Sequence, residues 1–200
     1  QKNINLRLKL LNYYKIIMLK TNRYAQGFTL IELIIVIIIL GVLAVTAAPR
    51  FIDLSDDAND AVTNSMMAGF KSGLTLMNAK YMIRRTSPIM INGQSVTFSD
   101  NGWPKGSTND SAGCAELWSN VFADPQPVNV MNDFGSAMTA GWNTVYYADS
   151  SAEVCAYLKS SSAGTLSGYS DPYFVYFISD TNYPAYGYEG SPGQVKMYNL

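Results

Sequence analysis

The longest apolar stretch of the chain runs from Phe28 to Ala48 and contains a single charged residue, Glu32. As a helix rising 1.5 Å per residue, this stretch would reach about 30 Å, the thickness of the hydrocarbon core of a bilayer. A charge at the centre of a membrane helix costs roughly 2.5–3.5 kcal/mol on insertion scales, so an acid in such a segment usually has a functional role. The pattern predicts a transmembrane helix whose glutamate requires an explanation.

Beyond Pro49 the apolar positions recur every three or four residues, which is the periodicity of an amphipathic helix. Pro49 lacks a backbone donor and should bend or loosen the helix. Gly69 and Gly73 either weaken the helix or permit close packing. We therefore expect one helix from Phe28 to about Arg85. Its core face should consist of Val62, Met66, Phe70, Leu74, Met77 and Tyr81.

The remainder of the chain has the pattern of a small sheet with one short helix. Asn92-Gly93 lies between two apolar runs in the stretch 89–98, a strong hairpin signal. The stretch 99–113 has the composition of a loop, and 114–122 has helical spacing. We predict an α+β fold, with the long helix packed against a four-stranded antiparallel sheet. Its strands are β-branched or aromatic: Thr144–Ala148, Glu153–Leu158, Tyr173–Ile178 and Gln194–Tyr198.

Charge divides the chain at Phe28. Six basic residues and no acid precede it, whereas eight basic and fifteen acidic residues follow, a net charge of −7. Basic residues before a membrane helix favour a cytoplasmic N-terminus. The acidic body argues against nucleic acid as a partner.

The same topology places both cysteines, Cys114 and Cys155, in an oxidising compartment. We expect one disulfide between them, with two buried thiols as the alternative. A bridge that closes a loop of about 40 residues would stabilise the fold by roughly 4 kcal/mol in the chain-entropy model.

A cleaved secretory signal is a second interpretation of the apolar run, because Thr46–Ala48 has the small residues of a cleavage site. The run is longer than the usual apolar region of such a signal, and Pro49 would follow the cut. Neither this interpretation nor a simple membrane anchor explains Glu32.

A third interpretation explains the glutamate. The segment QGFTLIE, residues 26–32, follows a basic leader and opens the apolar run. It resembles the class III signal of type IV pilins and type II secretion pseudopilins. The resemblance implies that a prepilin peptidase cuts between Gly27 and Phe28 and that Phe28 is then N-methylated. Residues 1–27 would be the leader, with 1–17 either part of it or untranslated sequence upstream of Met18, the only methionine before the run.

The resemblance also implies how subunits assemble. Cleavage creates an amine at Phe28, and Glu32 of one subunit would neutralise the amine of its neighbour, which sets the register of packing. The segment from Gly41 to Pro49 would lose helicity in the fibre, as in related filaments. Residues 28–48 would form the membrane and filament-core half of the helix. Residues 49–200 would form the globular pilin domain, including the amphipathic half of the helix.

Within the family, four stretches of the body resemble pilins of the mannose-sensitive haemagglutinin (MSHA) type. They are residues 46–58, 98–104, 114–122 and 153–158. This resemblance implies a homopolymeric pilus that is built by an assembly platform and an ATPase and attaches to a surface or glycan receptor. Before assembly the subunit would cross the inner membrane of a Gram-negative bacterium, with its N-terminus in the cytoplasm. A minor pilin or pseudopilin is the alternative, and a membrane-anchored periplasmic enzyme is a weaker one.

The residues for common catalytic sites are absent from the sequence. The chain has no histidine, which excludes a Ser-His-Asp triad, a Cys-His pair and histidine-ligated zinc. No phosphate-binding glycine motif occurs. We expect no enzymatic activity, cofactor or metal, although calcium at the loop 180–190 stays open. Tyr183, Tyr186 and Tyr188 in that loop are candidates for contact with a glycan.

Overall fold

The computed structural model describes residues 27–149, 152–165, 170–183 and 187–199. The predicted leader before Gly27 lies outside these residues. The chain divides into two compact units, Gln1–Ile52 and Asp53–Leu200.

The first helix, α1, is Leu30–Arg84, which confirms the long helix expected from Phe28 to about Arg85. Its apolar part, Leu30–Ala48, has a mean hydropathy of 3.0 and none of it is buried. Among the described residues it is the one helix long and apolar enough to cross a membrane.

The part of α1 in the second unit buries one face. Phe70 and Leu74 are fully buried and Met77 nearly so, as the periodicity predicted, with Met66 and Tyr81 half-buried. Val62 differs from the prediction, because 43% of its surface is exposed. It lines an open groove that α1 forms with Trp142 and neighbouring residues of the sheet.

Gly73 of α1 permits close packing. A Cβ placed on Gly73 would lie 2.6 Å from Val121 Cγ1 and 3.1 Å from the Val121 carbonyl oxygen. At Gly69 the nearest atom, Phe122 Cε1, would be 3.3 Å away. The question left open by the sequence is therefore answered for Gly73: its lack of a side chain lets the second helix approach.

The second helix, α2, is Ser111–Val121, close to the predicted 114–122. Asp110 caps it, because its carboxylate accepts the Gly113 N–H at 2.8 Å. The strands in chain order are β1 (Ile89–Ile91), β2 (Gln94–Phe98), β3 (Pro104–Lys105), β4 (Val128–Val130), β5 (Ala137–Met138), β6 (Gly141–Asp149), β7 (Ala152–Ser160), β8 (Gly164–Thr165), β9 (Tyr173–Phe177), β10 (Thr181–Tyr183), β11 (Tyr188–Gly190) and β12 (Val195–Tyr198).

The main sheet has the order β12-β9-β7-β6-β4. Its antiparallel strands β6, β7, β9 and β12 correspond to the four predicted strands, with the predicted ends Ile178 and Gln194 one residue outside β9 and β12. The fifth strand, β4, pairs parallel to β6 and was not predicted, because three residues are too few to show a period. The helices cover one face of the sheet with an aromatic core: Phe70, Trp118, Trp142, Tyr157, Phe174 and Tyr176. A second core on the alternate strand positions contains Val145, Val154, Ala156, Leu158, Val175 and Phe177.

The predicted hairpin at residues 89–98 is present as β1 and β2, with Asn92 and Gly93 at φ 52° and 83°. Such positive φ values are those of a type I′ turn, for which Asn-Gly is favoured. The stretch 99–113, predicted as a loop, contains β3 and the start of α2. The pairing of β3 with β2 depends on a partner that local composition does not reveal.

Candidate processing and assembly site

The junction between Gly27 and Phe28 lies ahead of the helix. Both residues are outside α1, which begins at Leu30. Phe28 is 90% exposed, and a Cβ added at Gly27 would have no atom within 4 Å. The peptide bond between the two residues is therefore held in open, non-helical backbone, which is the condition a protease needs for access.

Thr29 and Glu32 form a capping box at the start of α1. Glu32 Oε2 accepts the Thr29 backbone N–H and the Thr29 hydroxyl, each at 2.9 Å. The Glu32 N–H in turn donates to Thr29 Oγ1 at 3.2 Å. These reciprocal bonds satisfy backbone donors that a helix start leaves unpaired. The T-x-x-E spacing is a sequence signal for this cap. The sequence prediction for Glu32 included only contact between subunits and not the cap.

The second carboxylate oxygen of Glu32 is not used by the cap. Both bonds from Thr29 end on Oε2, and no hydrogen bond to Oε1 is found in the described part of the chain. Glu32 is also on an exposed turn of the helix. Its geometry therefore allows the carboxylate to cap its own helix and to accept a further donor from outside the chain.

Gly41 and Pro49 both lie inside α1, which is helical at each of them. A Cβ added at Gly41 would meet no atom within 4 Å, so packing within the chain does not require this glycine. Pro49 cannot donate to the carbonyl of Val45, four residues earlier, and glycine costs a helix about 1 kcal/mol relative to alanine. The helix thus carries two intrinsically weak positions, one within its exposed apolar part and one directly after it.

Cys114 and Cys155 form a disulfide, with their Cα atoms 5.7 Å apart. The bridge joins the first half of α2 to β7, and both cysteines are 1% exposed. The Tyr157 hydroxyl donates to the Cys114 carbonyl at 2.8 Å and strengthens the same contact. The expected bridge therefore fastens the short helix over the centre of the main sheet.

The loop tyrosines do not form one exposed group. Tyr188 is 1% exposed, and its hydroxyl lies 3.1 Å from that of Tyr173. Tyr183 is half-buried, and Tyr186 lies outside the described residues. The suggestion that Tyr188 faces a glycan is wrong, because β11 turns this side chain into the core. Within the described ranges, no group of three or more acidic, histidine or cysteine side chains could hold a metal ion.

The chain matches known proteins in two comparisons. The model of the prokaryotic N-terminal methylation motif matches residues 22–48. The type IV narrow pilus major component PilA5 of Thermus thermophilus is 34% identical over 91 residues, which are 45% of this chain and 78% of that protein. No solved structure matches the chain.

These matches agree with the geometry at the start of the chain. The methylation motif covers the open junction, the capping box and the apolar part of α1. A protein with these features is a structural subunit and not an enzyme. The chain belongs to the type IV pilin family.

Proposed function

We propose that this chain is the precursor of a major pilin, cut between Gly27 and Phe28, methylated on the new Phe28 amine and polymerised into a surface fibre. The observation that carries the proposal is the exposed bond directly before an apolar helix capped by Thr29 and Glu32. Residues 1–27 serve as the leader in this proposal, and residues 49–200 as the globular domain. The relative from Thermus thermophilus is itself a major pilus component.

Packing of the apolar part of α1 supplies cohesion in the fibre. No residue of Leu30–Ala48 is buried in the single chain, so either lipid or neighbouring subunits must cover this segment. Lipid tails are as apolar as these side chains, so the move from membrane to fibre gains little from the hydrophobic effect. Van der Waals packing between helices therefore holds the subunits together without a strong preference for one register.

Pairing of the Phe28 amine with the Glu32 carboxylate of a neighbouring subunit sets the register of packing. An unpaired amine or carboxylate in an apolar surrounding is strongly disfavoured, so a subunit enters where the Phe28 amine meets a carboxylate. In the proposed contact, Glu32 Oε1 accepts the amine of a neighbour while Oε2 keeps its bonds to Thr29. In this mechanism Glu32 serves both its own helix and the adjacent subunit. Weak helix positions at Gly41 and Pro49 let the apolar segment between them unwind as subunits pack.

The basic leader keeps the N-terminus in the cytoplasm, and the body crosses the inner membrane into the compartment where the disulfide forms. The MSHA-like stretches of the body support an adhesive pilus that binds a surface or a glycan. Its partners are further copies of the chain, a prepilin peptidase, and an assembly platform with its ATPase.

Mass spectrometry of fibres sheared from the parent cells tests the proposal. We expect the chain to be the main component of the fibres and to begin at N-methylated Phe28. Detection of an uncut chain that stays in the membrane, with no fibre, would overturn the proposal. Detection of the cut chain only in trace amounts, in fibres of another pilin, would assign it as a minor pilin instead.

A further inference from the structure

The charged residues of α1 in the second unit are sorted by sign along the helix. The acidic block, residues 53–60, contains four aspartates and no base. The basic block, residues 71–85, contains Lys71, Lys80, Arg84 and Arg85 and no acid. No charged residue lies between the blocks. This part of the chain therefore has two ends of opposite charge.

Six of these charged side chains have no ion-pair partner in the described part of the chain. All four basic residues and Asp57 are exposed, and Asp60 is half-exposed. None of these six side chains forms an ion pair with another residue that the structure describes. Favourable interaction with the helix dipole accounts for Arg84 and Arg85 at the end of α1. It does not account for the aspartates, which lie in the middle of the helix.

The helix keeps the two blocks apart. At 1.5 Å per residue, Asp60 lies about 16 Å from Lys71 along the axis, and Asp57 lies about 35 Å from Lys80. Ion pairs need separations of about 4 Å between nitrogen and oxygen. The blocks of one chain therefore cannot pair with each other along the helix.

A second copy of the chain has the matching charges. Two parallel copies of α1 in the same register would place like charges side by side, which is unfavourable. A lengthwise shift of about 16–35 Å would instead bring the acidic block of one copy beside the basic block of the other. Small exposed residues between the blocks leave room for the neighbour to approach: Ala61, Ser65, Ala68 and Ser72.

We infer that the acidic block of one subunit pairs with the basic block of a second, lengthwise-shifted copy in the fibre. This inference rests on the proposed function, because it requires parallel copies in a polymer. The pairing of the blocks would set the subunit arrangement together with the Phe28–Glu32 pair. It lies in the amphipathic half of the helix, whereas the Phe28–Glu32 pair lies at the start of the apolar half. The Asp60–Lys80 combination is the most direct, since twenty residues at about 100° each place the two side chains on nearly opposite sides of α1, as contact between copies that differ by a shift requires.

Zero-length crosslinking of purified fibres tests the contact. A carbodiimide joins a lysine amine to a carboxylate that touches it, with an amide formed and the elements of water transferred to the reagent. We expect crosslinked peptides that join Lys71 or Lys80 to residues 53–60 in fibres and not in detergent-solubilised single chains. Such links must connect two copies, because the helix separates the same residues within one chain. Fibres that show lysine–carboxylate links elsewhere but none between the blocks would overturn the inference.

Charge reversal tests whether the fibre needs the pairing of the acidic and basic blocks. The pairs Asp57→Lys with Asp60→Lys, and Lys71→Glu with Lys80→Glu, should each lower the fibre yield at least about tenfold at equal membrane levels of the chain. The four changes together should restore the yield to within about threefold of wild type, as expected for directly coupled sites. Wild-type yield in either pair, or no recovery in the combination, would contradict the inference.

Asp124→Lys is the matched control, because Asp124 is exposed and lies outside both blocks. Asp124→Lys should leave the fibre yield unchanged. If it lowers the yield as much as the reversals in the blocks do, the effect of those reversals is not specific to the blocks, and the inference is contradicted. Retention of the Cys114–Cys155 bridge on non-reducing gels checks the fold of each variant. If the wild-type chain itself forms no fibre, the proposed function fails as well. If the wild type assembles and the combined variant does not recover, only the block pairing fails.

Discussion

Thr29 and Glu32 bind each other through one oxygen of the Glu32 carboxylate, which accepts both the N–H and the hydroxyl of Thr29 at 2.9 Å. The cap and the proposed contact with a neighbouring amine therefore use different oxygens of one side chain. The cap needs an acceptor, whereas the contact between subunits needs a negative charge. Variants can separate these two requirements.

Glu32→Gln keeps an oxygen that can cap the helix and removes the charge. We expect normal cleavage and membrane insertion but a fibre yield lowered at least about tenfold, because the neighbour's amine would lose its partner. Thr29→Ala removes the cap and keeps the charge, so it should lower the yield less, and Thr29→Ser should match wild type. Immunoblots of sheared fibres and of membranes give both readouts. Wild-type yield for Glu32→Gln would contradict the role in register.

Removal of the disulfide should destabilise the body. The double variant Cys114→Ala with Cys155→Ala loses a bridge that spans 41 residues, worth about 4 kcal/mol in the chain-entropy model. Chemical unfolding of the full chain in detergent, followed by tryptophan fluorescence, measures the change. A reducing agent should shift the wild type in the same direction and leave the double variant unchanged. No shift in either case would show that the bridge does not stabilise the fold.

Phe70 should be the most sensitive position of α1. Its ring centroid lies 4.9 Å from that of Tyr157 and 5.6 Å from that of Phe174, at full burial. Phe70→Ala should lower the free energy of unfolding by about 3–5 kcal/mol, because it leaves a cavity in the core. Val62→Ala, at a partly exposed position of the same helix, should cost less than about 1 kcal/mol. Equal losses for the two variants would contradict the described packing.

Gly73→Ala should destabilise the chain although alanine favours helices by about 1 kcal/mol over glycine. The new methyl group would lie 2.6 Å from Val121 Cγ1 and force α2 to move, at a cost of about 1–3 kcal/mol. Gly69→Ala is the matched comparison, because its nearest contact is 3.3 Å away on the Phe122 ring. Thermal unfolding should rank wild type and Gly69→Ala above Gly73→Ala, and the reverse order would refute the close approach.

High pH should unfold the body. Burial raises the pKa of the Tyr157 and Tyr176 hydroxyls above the ordinary value of 10.0. Negative charge on Tyr176 raises the pKa of Tyr157 further, and negative charge on Glu153 does the same for Tyr176. The folded chain thus holds protons that the unfolded chain releases, so stability falls as the pH rises above about 10. Denaturant titrations between neutral pH and pH about 11 measure the slope. Tyr157→Phe should reduce it, and an unchanged slope would exclude Tyr157 as a cause.

Local sequence was sufficient wherever neighbours along the chain decide the structure. The period of Phe70, Leu74 and Met77 gave the core face of α1, and Asn92-Gly93 gave the hairpin turn. The alternation and composition of the four long strands gave the antiparallel part of the main sheet. The T-x-x-E cap at Thr29 was equally local and could have been predicted.

Contacts between distant segments decided the rest. The parallel pairing of β4 with β6 arises because the edge strand β6 offers unpaired backbone hydrogen-bonding groups. The three residues of β4 are too few to show a strand pattern in the sequence. The exposure of Val62 and the burial of Tyr188 depend on where the sheet ends and where β11 turns. Within the described residues, the absence of ion pairs at Asp57, Asp60 and the basic block of α1 is likewise a property of the fold. The amino-acid sequence determined which segments can be helix, strand or membrane anchor, because those preferences are local; only tertiary packing decided which surfaces remain open for another molecule.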